Sequence, residues 1–348
     1  MKSLNSSDNH PSPIRRILFL SAAILVLVLV CYSNRVELAG SLWRNAGYVG
    51  LNKALTDPTD SIIKKSTESF ESVLALDKKN MSAFHGLALL YILQGNETAA
   101  VESWIDGGIT ADYLIPFGKN ARLARDNDAA FLWFDRAVRV APANGDAWYL
   151  RGQALGQIGR WEEAISSYHH ALEDPTVSLN EAAAGDILCA IGWTYHWLSQ
   201  PEDPQKALEY YKLAGDAADF SSADLEADCL YKQAELYLWQ LNKPEKAIQS
   251  YEAALQKQPD HVLAASALLS AVYQRDGDFQ AAEQGFLELL GRFPDDKWGY
   301  IQLGNLYSSA GDNEKAAKTY QQALLVDPDD VQVRQRLQNL GVFKNDAK

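Results

Sequence analysis

The stretch WGYIQLGNLYSSAGDNEKAAKTYQQALLVDPDD, residues 298–330, decides the fold class of this chain. It contains two apolar runs with a helical period, a Gly-Asp turn at 311–312 between them, and Pro328 after the second run. Gly304 and Ala316 are small residues at points where two antiparallel helices must come close. The stretch therefore predicts a helical hairpin of about 34 residues.

The same pattern returns upstream, marked by an alanine that precedes an aromatic residue by four positions. This spacing places both side chains on one helix face. Successive alanines lie 30 to 43 residues apart, as expected for one repeated unit with insertions and deletions. The pairs are Ala100 and Trp104, Ala130 and Phe134, Ala164 and Tyr168, Ala207 and Tyr211, Ala247 and Tyr251, Ala282 and Phe286, and Ala316 and Tyr320. The body of the chain is therefore predicted to be a repeat array.

On these residues, the chain resembles the tetratricopeptide-repeat family. That family has an aromatic residue, a Leu-Gly pair and a tyrosine in the first helix of each unit, and Ala, an aromatic residue, Ala and Pro in the second. The best matches are Tyr300, Leu303, Gly304, Tyr307, Ala316, Tyr320, Ala323 and Pro328, and upstream Trp148, Gly152, Ala164, Tyr168 and Ala171. The resemblance covers about residues 60–342. It implies an all-α solenoid of helical hairpins, stacked in a right-handed superhelix whose first helices line a groove.

The sequence divides into five segments. Residues 1–16 are predicted to be a short basic tail, 17–34 a transmembrane anchor, and 35–59 a linker or N-terminal helix. About seven repeats and a degenerate first unit are expected in 60–330, followed by a capping helix and tail in 331–348.

Two units depart from the family pattern. One has Gly107 and Gly108 where its second helix should end, and the next has Pro116 near the start of its first helix. Because proline removes a backbone donor and crowds the preceding turn, a poor helix is predicted there.

An apolar run near the N-terminus predicts a membrane anchor. Eighteen uncharged residues extend from Ile17 to Asn34, with Ile17 to Tyr32 as the membrane contact, and a helix of this length covers roughly 27 Å, close to the hydrocarbon thickness of a bilayer. A cleaved signal peptide is the alternative, but the run is longer than usual and no small-x-small cleavage site follows closely. Arg15 and Arg16 would hold the short tail in the cytoplasm, so the repeats are expected on the extracytoplasmic side, periplasmic or at the cell surface.

The period of a helix predicts which side chains are available for binding. In a first helix the family pattern occupies positions 4, 7, 8 and 11, and positions 2, 5, 9, 12 and 13 share the opposite face. The candidate partner-binding residues on that face are Trp193, His196, Trp197, Tyr231, Trp239, Tyr149, Lys119 and Arg122. They suggest an aromatic patch with basic residues at its N-terminal side, suited to an apolar or aromatic anchor on an acidic segment. The alternative is that these bulky side chains only fill space where the helices stack most tightly.

No motif in the sequence indicates catalysis, a metal site or a cofactor. There is no glycine-rich phosphate loop, nucleophile elbow or HExxH segment, and the adjacent His169 and His170 point about 100° apart on a helix, which does not suit one metal ion. Cys189 and Cys229 are expected to be small buried apolar residues, with a cross-link or a reactive thiol as the alternative. The formal charge of −13 argues against a nucleic-acid partner.

The sequence therefore predicts a membrane-anchored, non-enzymatic scaffold or adaptor with a protein or peptide partner and no cofactor. Two alternatives stay open: a module that binds a peptide or glycan chain, and a regulatory subunit of a membrane enzyme. Either would serve cell-envelope or polysaccharide assembly.

Overall fold

The structure, a computed structural model, describes residues 39–173, 179, 182–198 and 203–341. Every regular element in these ranges is a helix, so the all-α prediction is confirmed. No helix of the described ranges is both long enough and apolar enough to cross a membrane. The predicted anchor at 17–34 lies outside these ranges.

The helices follow one another with short connections. The first, α1, covers residues 39–56. The others are α2 Asp60–Leu76, α3 Met81–Leu93, α4 Glu97–Asp106, α5 Ala111–Leu123, α6 Asn127–Val140, α7 Gly145–Gln157, α8 Trp161–Glu173, α9 Ala184–Leu198, α10 Asp203–Ala217, α11 Ala223–Glu235, α12 Pro244–Lys257, α13 Val262–Asp276, α14 Phe279–Arg292, α15 Lys297–Ser309, α16 Asn313–Val326 and α17 Val331–Asn339. A π-helical segment, Leu236–Gln240, continues α11.

The chain forms two compact units. The first contains the described residues up to Pro116, together with Arg139–Ala141. The second contains Phe117–Val138 and the described residues from Pro142 onwards. The boundary falls inside α5.

The core of the first unit is built around Phe70 of α2. Its ring fills the space above Gly47 of α1 and Gly86 of α3, where any larger side chain would collide with it. Leu51 and Leu90 complete the same buried cluster. One aromatic ring, set between two glycines, therefore lies at the centre of the packing of α1, α2 and α3.

The second unit repeats one packing solution along the chain. Its strongest contacts join α7 with α8, α9 with α10, α11 with α12 and α15 with α16. In four hairpins the aromatic residue of the second helix covers a glycine of the first, as Phe134 covers Gly118, Tyr168 covers Gly152, Tyr211 covers Gly192 and Tyr320 covers Gly304. Each of these hairpins is thus closed by an aromatic ring that requires a missing side chain opposite it.

The predicted small and aromatic positions are buried in both units. The seven alanines of the repeat pattern, from Ala100 to Ala316, are no more than 5% exposed, and their aromatic partners no more than 3%. These side chains carry the structure of the repeat and are not available to a ligand.

Helix α5 differs from the sequence-based expectation. It continues through Pro116 as a helix of 13 residues, so the prediction of a poor helix is wrong. Leu114 and Ile115, next to the proline, are buried, and this burial offsets the loss of one backbone hydrogen bond. Helix α4, in contrast, ends early as predicted, because Gly107 caps it and Gly108 takes a left-handed conformation with φ of 66°.

Both described cysteines are buried free thiols within one core cluster of the second unit. The Cys229 thiol is hydrogen-bonded with Cys189, and this contact together with burial raises the pKa of Cys229. The two residues therefore pack as small apolar side chains, as the sequence predicted.

Candidate functional site

A cavity of about 680 Å³ lies in the second unit. Its walls come mainly from α13, α15 and α11 with the π-helical segment that continues α11, which are the first helices of successive hairpins, and α17 adds Arg336. Its volume is in the range of sites that bind small molecules or several side chains of a peptide. The first helices thus do line a common cavity, as the family resemblance implied.

The wall formed by α11 presents a carboxylate among aromatic rings. The Tyr251 hydroxyl donates a hydrogen bond to Glu235 Oε1, and the Trp239 indole also hydrogen-bonds to the Glu235 carboxylate. Burial raises the pKa of Glu235, and these two hydrogen bonds only partly oppose that shift. Tyr231 lines the cavity beside them, with its ring centroid 5.9 Å from that of Tyr251.

The cavity lining also carries a positive charge, on α17. Arg336 of α17 donates from Nη1 to Oδ1 of Asn305 at 2.8 Å, and the Tyr320 hydroxyl donates to the same oxygen at 2.7 Å. Asn305 and Arg336 both line the cavity. The guanidinium group is therefore held in place by the side-chain amide of Asn305.

Two of the predicted binding residues, Tyr231 and Trp239, lie in this cavity wall. Trp239 is 64% exposed, unusually high for a tryptophan within a helical segment. It belongs to the π-helical segment Leu236–Gln240, which holds one more residue per turn than an α-helix.

The predicted residues Trp193, His196 and Trp197 form an aromatic cluster on α9. The Trp193 centroid lies 5.2 Å from that of His196 and 5.4 Å from that of Trp197, and His196 stacks on Trp197 at 5.6 Å. Trp193 is half-buried, with the Lys232 ammonium 5.2 Å from its ring centroid. Burial lowers the pKa of His196, so its imidazole is neutral at physiological pH. Trp197, in contrast, is 51% exposed.

The predicted residues Lys119, Arg122 and Tyr149 lie on α5 and α7. Arg122 Nη1 donates to Oε1 of Gln153 at 2.7 Å, and Gln153 also hydrogen-bonds to Tyr149. Burial, more than the nearby Asp186, raises the pKa of Tyr149. Lys119 is half-buried one turn before Arg122. The eight candidates thus occupy three settings: the cavity wall, the α9 cluster and this polar group.

Several cavity residues were missed by the sequence analysis. Glu235, Asn305 and Trp298 occupy positions 9, 9 and 2 of their first helices, so the helical period contained the signal for them. Arg336 lies on the capping helix, where no repeat position marks it. In the described ranges, no group of three or more His, Cys, Asp or Glu residues could hold a metal ion.

Comparison with known proteins gives family and fold matches. Family models described as tetratricopeptide repeat match residues 117–176, 236–297 and 273–340. The chain is similar to the crystal structure of the APC/C hetero-tetramer Cut9-Hcn1, with 15% identity and a TM-score of 0.52 over 80% of this chain and 52% of that one. It therefore spans about half the length of that relative.

A second solved structure has the same fold. This is PilW, a widely conserved type IV pilus biogenesis factor, with 14% identity and a TM-score of 0.51 over 65% of this chain and 98% of that one. At these identities the likeness is one of fold alone. No curated protein matches the sequence at a significant level.

Proposed function

We propose that this chain, which contains tetratricopeptide repeats, is an interaction scaffold that holds a segment of a partner protein in the cavity lined by α11, α13, α15 and α17. The observation that carries the proposal is the cavity itself, because it is formed by the helix faces that the repeat does not need for its own packing. Trp239, Trp298 and Leu263 line it and remain exposed, and such clustered apolar side chains are typical of interaction surfaces. Binding of this kind needs no catalytic residue.

Crosslinking in intact cells, followed by mass spectrometry, tests the scaffold function. The partner set of the unmodified chain is compared with that of a Tyr231→Ala plus Trp239→Ala variant. Trp43→Ala is the control, since Trp43 is an exposed tryptophan of the first unit and does not line the cavity. We expect the cavity variant to lose at least one partner that the control keeps. An unchanged partner set in both variants would contradict the proposal.

The α9 cluster is tested in the same experiment. A Trp193→Ala plus Trp197→Ala variant should lose partners only if the exposed Trp197 is part of a second contact surface. The half-buried Trp193, which packs under Lys232, favours a structural role for that residue. If this variant keeps every partner, the aromatic patch predicted around α9 is wrong.

The proposal includes attachment to a membrane through residues 17–34, with the repeats on the extracytoplasmic side. The support is the uncharged run of eighteen residues and the two arginines that precede it. The full chain should stay in the membrane fraction after alkaline extraction, and a variant without residues 1–38 should be released. An N-terminal peptide that begins after the run would instead establish cleavage. External protease that fails to cut the repeats in intact cells would contradict the orientation.

One feature of the lining favours a glycan chain as a second candidate ligand. The cavity combines the aromatic rings Tyr231, Tyr273 and Trp298 with the side-chain amides of Gln274 and Gln302, which suit sugar rings and their hydroxyl groups. Soluble oligosaccharides from the cell envelope should then change the tryptophan fluorescence of the full chain, and Trp298→Ala should remove part of that change. A catalytic chain among the crosslinked partners would indicate the regulatory-subunit alternative.

A further inference from the structure

We propose that the cavity recognises its partner segment through a basic side chain, a lysine or arginine that enters between Tyr231 and Trp239 and pairs with the carboxylate of Glu235. This inference rests on the proposed function and names the chemistry of the bound segment. It also reverses the polarity that the sequence suggested, which was an acidic segment.

The Glu235 carboxylate lies in the cavity wall without a compensating cation. Its hydrogen-bond donors are the Tyr251 hydroxyl and the Trp239 indole, both neutral groups. Among the described residues no lysine, arginine or histidine forms an ion pair with it. An ionised carboxylate has about four acceptor positions, so acceptor capacity remains for a ligand. A cation that binds there would relieve the cost of holding a half-buried negative charge.

Lys232, on the same helix as Glu235, does not compensate the charge of the Glu235 carboxylate. Lys232 pairs with Asp228 at 2.6 Å and lies over the Trp193 ring, on the face of α11 that is turned to α9. The face of α11 that lines the cavity therefore carries the uncompensated charge of Glu235, whereas on the face turned to α9 the charges of Lys232 and Asp228 cancel.

Aromatic rings around Glu235 add to the preference for a cation. Tyr231 and Trp239 line this wall with rings that are half-buried and exposed, and the faces of such rings attract ammonium and guanidinium groups. Burial raises the pKa of Tyr231 most, and the neighbouring Glu235 carboxylate raises it further, as expected of a hydroxyl beside a negative charge.

Arg336, which lines the same cavity from α17, gives the bound segment a direction. Its guanidinium is fixed by Asn305, and it repels a second cation from its own part of the cavity. A basic side chain of a partner is thus directed to α11, whereas an acidic one would be attracted to α17.

The test selects ligands from a random library of twelve-residue peptides displayed on phage, using the full chain in detergent micelles. Peptides selected by the unmodified chain should contain lysine or arginine at one aligned position at least threefold more often than the unselected library. This enrichment should disappear with Glu235→Gln. It should persist with Glu252→Gln, which removes an exposed carboxylate of α12 outside the cavity, and with Arg336→Gln.

Synthetic peptide pairs then measure the contact directly. Each pair differs by Lys→Gln at the enriched position, and the unmodified chain should bind the lysine member roughly tenfold more tightly, as for a hydrogen bond to a charged group. For Glu235→Gln the ratio should approach one, and circular dichroism should show the same helix content. An equal ratio in both proteins would overturn the proposal.

The outcomes separate this inference from the proposed function. Peptides that are selected without basic enrichment, and that lose affinity for Trp239→Ala, would refute the cation subsite and support the scaffold. A library that yields no selected peptide, or only peptides that bind Trp239→Ala equally well, would count against both.

Discussion

At the residue scale, His85 shows how burial fixes a protonation state. The Trp104 indole donates to Nδ1 of His85 at 3.0 Å within the first unit, and burial lowers the pKa of His85 to about 4. A histidine whose folded pKa is depressed contributes stability that is present above its unfolded pKa of 6.5 and is lost as the pH falls toward 4.

This sign gives a testable pH dependence. Between pH 7 and pH 4.5 the chain should lose up to about 2 kcal/mol of unfolding free energy through His85 alone. His85→Gln, which cannot take up a proton in this range, should show a smaller loss over the same interval. Urea unfolding followed by circular dichroism at the two pH values measures the difference. Identical losses in both proteins would exclude His85 as the group responsible.

At the element scale, the effect of a glycine on helix stability depends on which atoms surround the place where its side chain would be. A Cβ at Gly152 of α7 would collide with the ring of the buried Tyr168, whereas a Cβ at Gly215 of α10 meets nothing within 4 Å. The sequence marks Gly152 through the repeat pattern, but it does not distinguish the open environment of Gly215.

Alanine substitution at the two sites should therefore shift stability in opposite directions. Gly152→Ala should lower the free energy of unfolding by about 1–3 kcal/mol, because a buried ring must move. Gly215→Ala should raise it by up to about 1 kcal/mol, because alanine favours the helix. Urea unfolding of both variants and of the unmodified chain measures the two changes in stability. A Gly152→Ala protein that is more stable than the unmodified chain would contradict the prediction, because it would show that the Tyr168 ring moves without cost.

The π-helical segment Leu236–Gln240 shows what an insertion does at this scale. The helix is wider there and holds one more residue per turn than an α-helix. Leu238 and Trp239 of this segment both line the cavity. The insertion therefore contributes directly to the candidate site, which the spacing alone did not reveal.

At the scale of the whole molecule, the chain consists of two compact units in which each repeat contacts mainly its neighbours. In such arrays the stability of a repeat depends on its own packing and on its nearest interfaces. A disturbance near the C-terminus should therefore remain local.

Hydrogen exchange tests this locality. Gly304→Ala forces the Tyr320 ring out of its position between α15 and α16, so amides of these two helices should exchange faster. Amides of α2 and α3 in the first unit should keep their protection. Mass spectrometry of peptides after exchange in both proteins gives the comparison, and faster exchange throughout the chain would instead indicate a single cooperative unit.

The sequence by itself determined the helical hairpins, because the helical period and the small and aromatic positions act through contacts within one repeat. It also placed Tyr231 and Trp239 on the face that packing leaves open. Only the tertiary structure decided that Glu235 and Arg336 line one cavity, since they lie on helices far apart in the chain. It likewise turned Trp193 against Lys232, although the repeat pattern places both tryptophans of the α9 cluster on the same helix face. The polarity of a site depends on which side chains the stacked repeats bring together, and the pattern within one repeat does not contain that information.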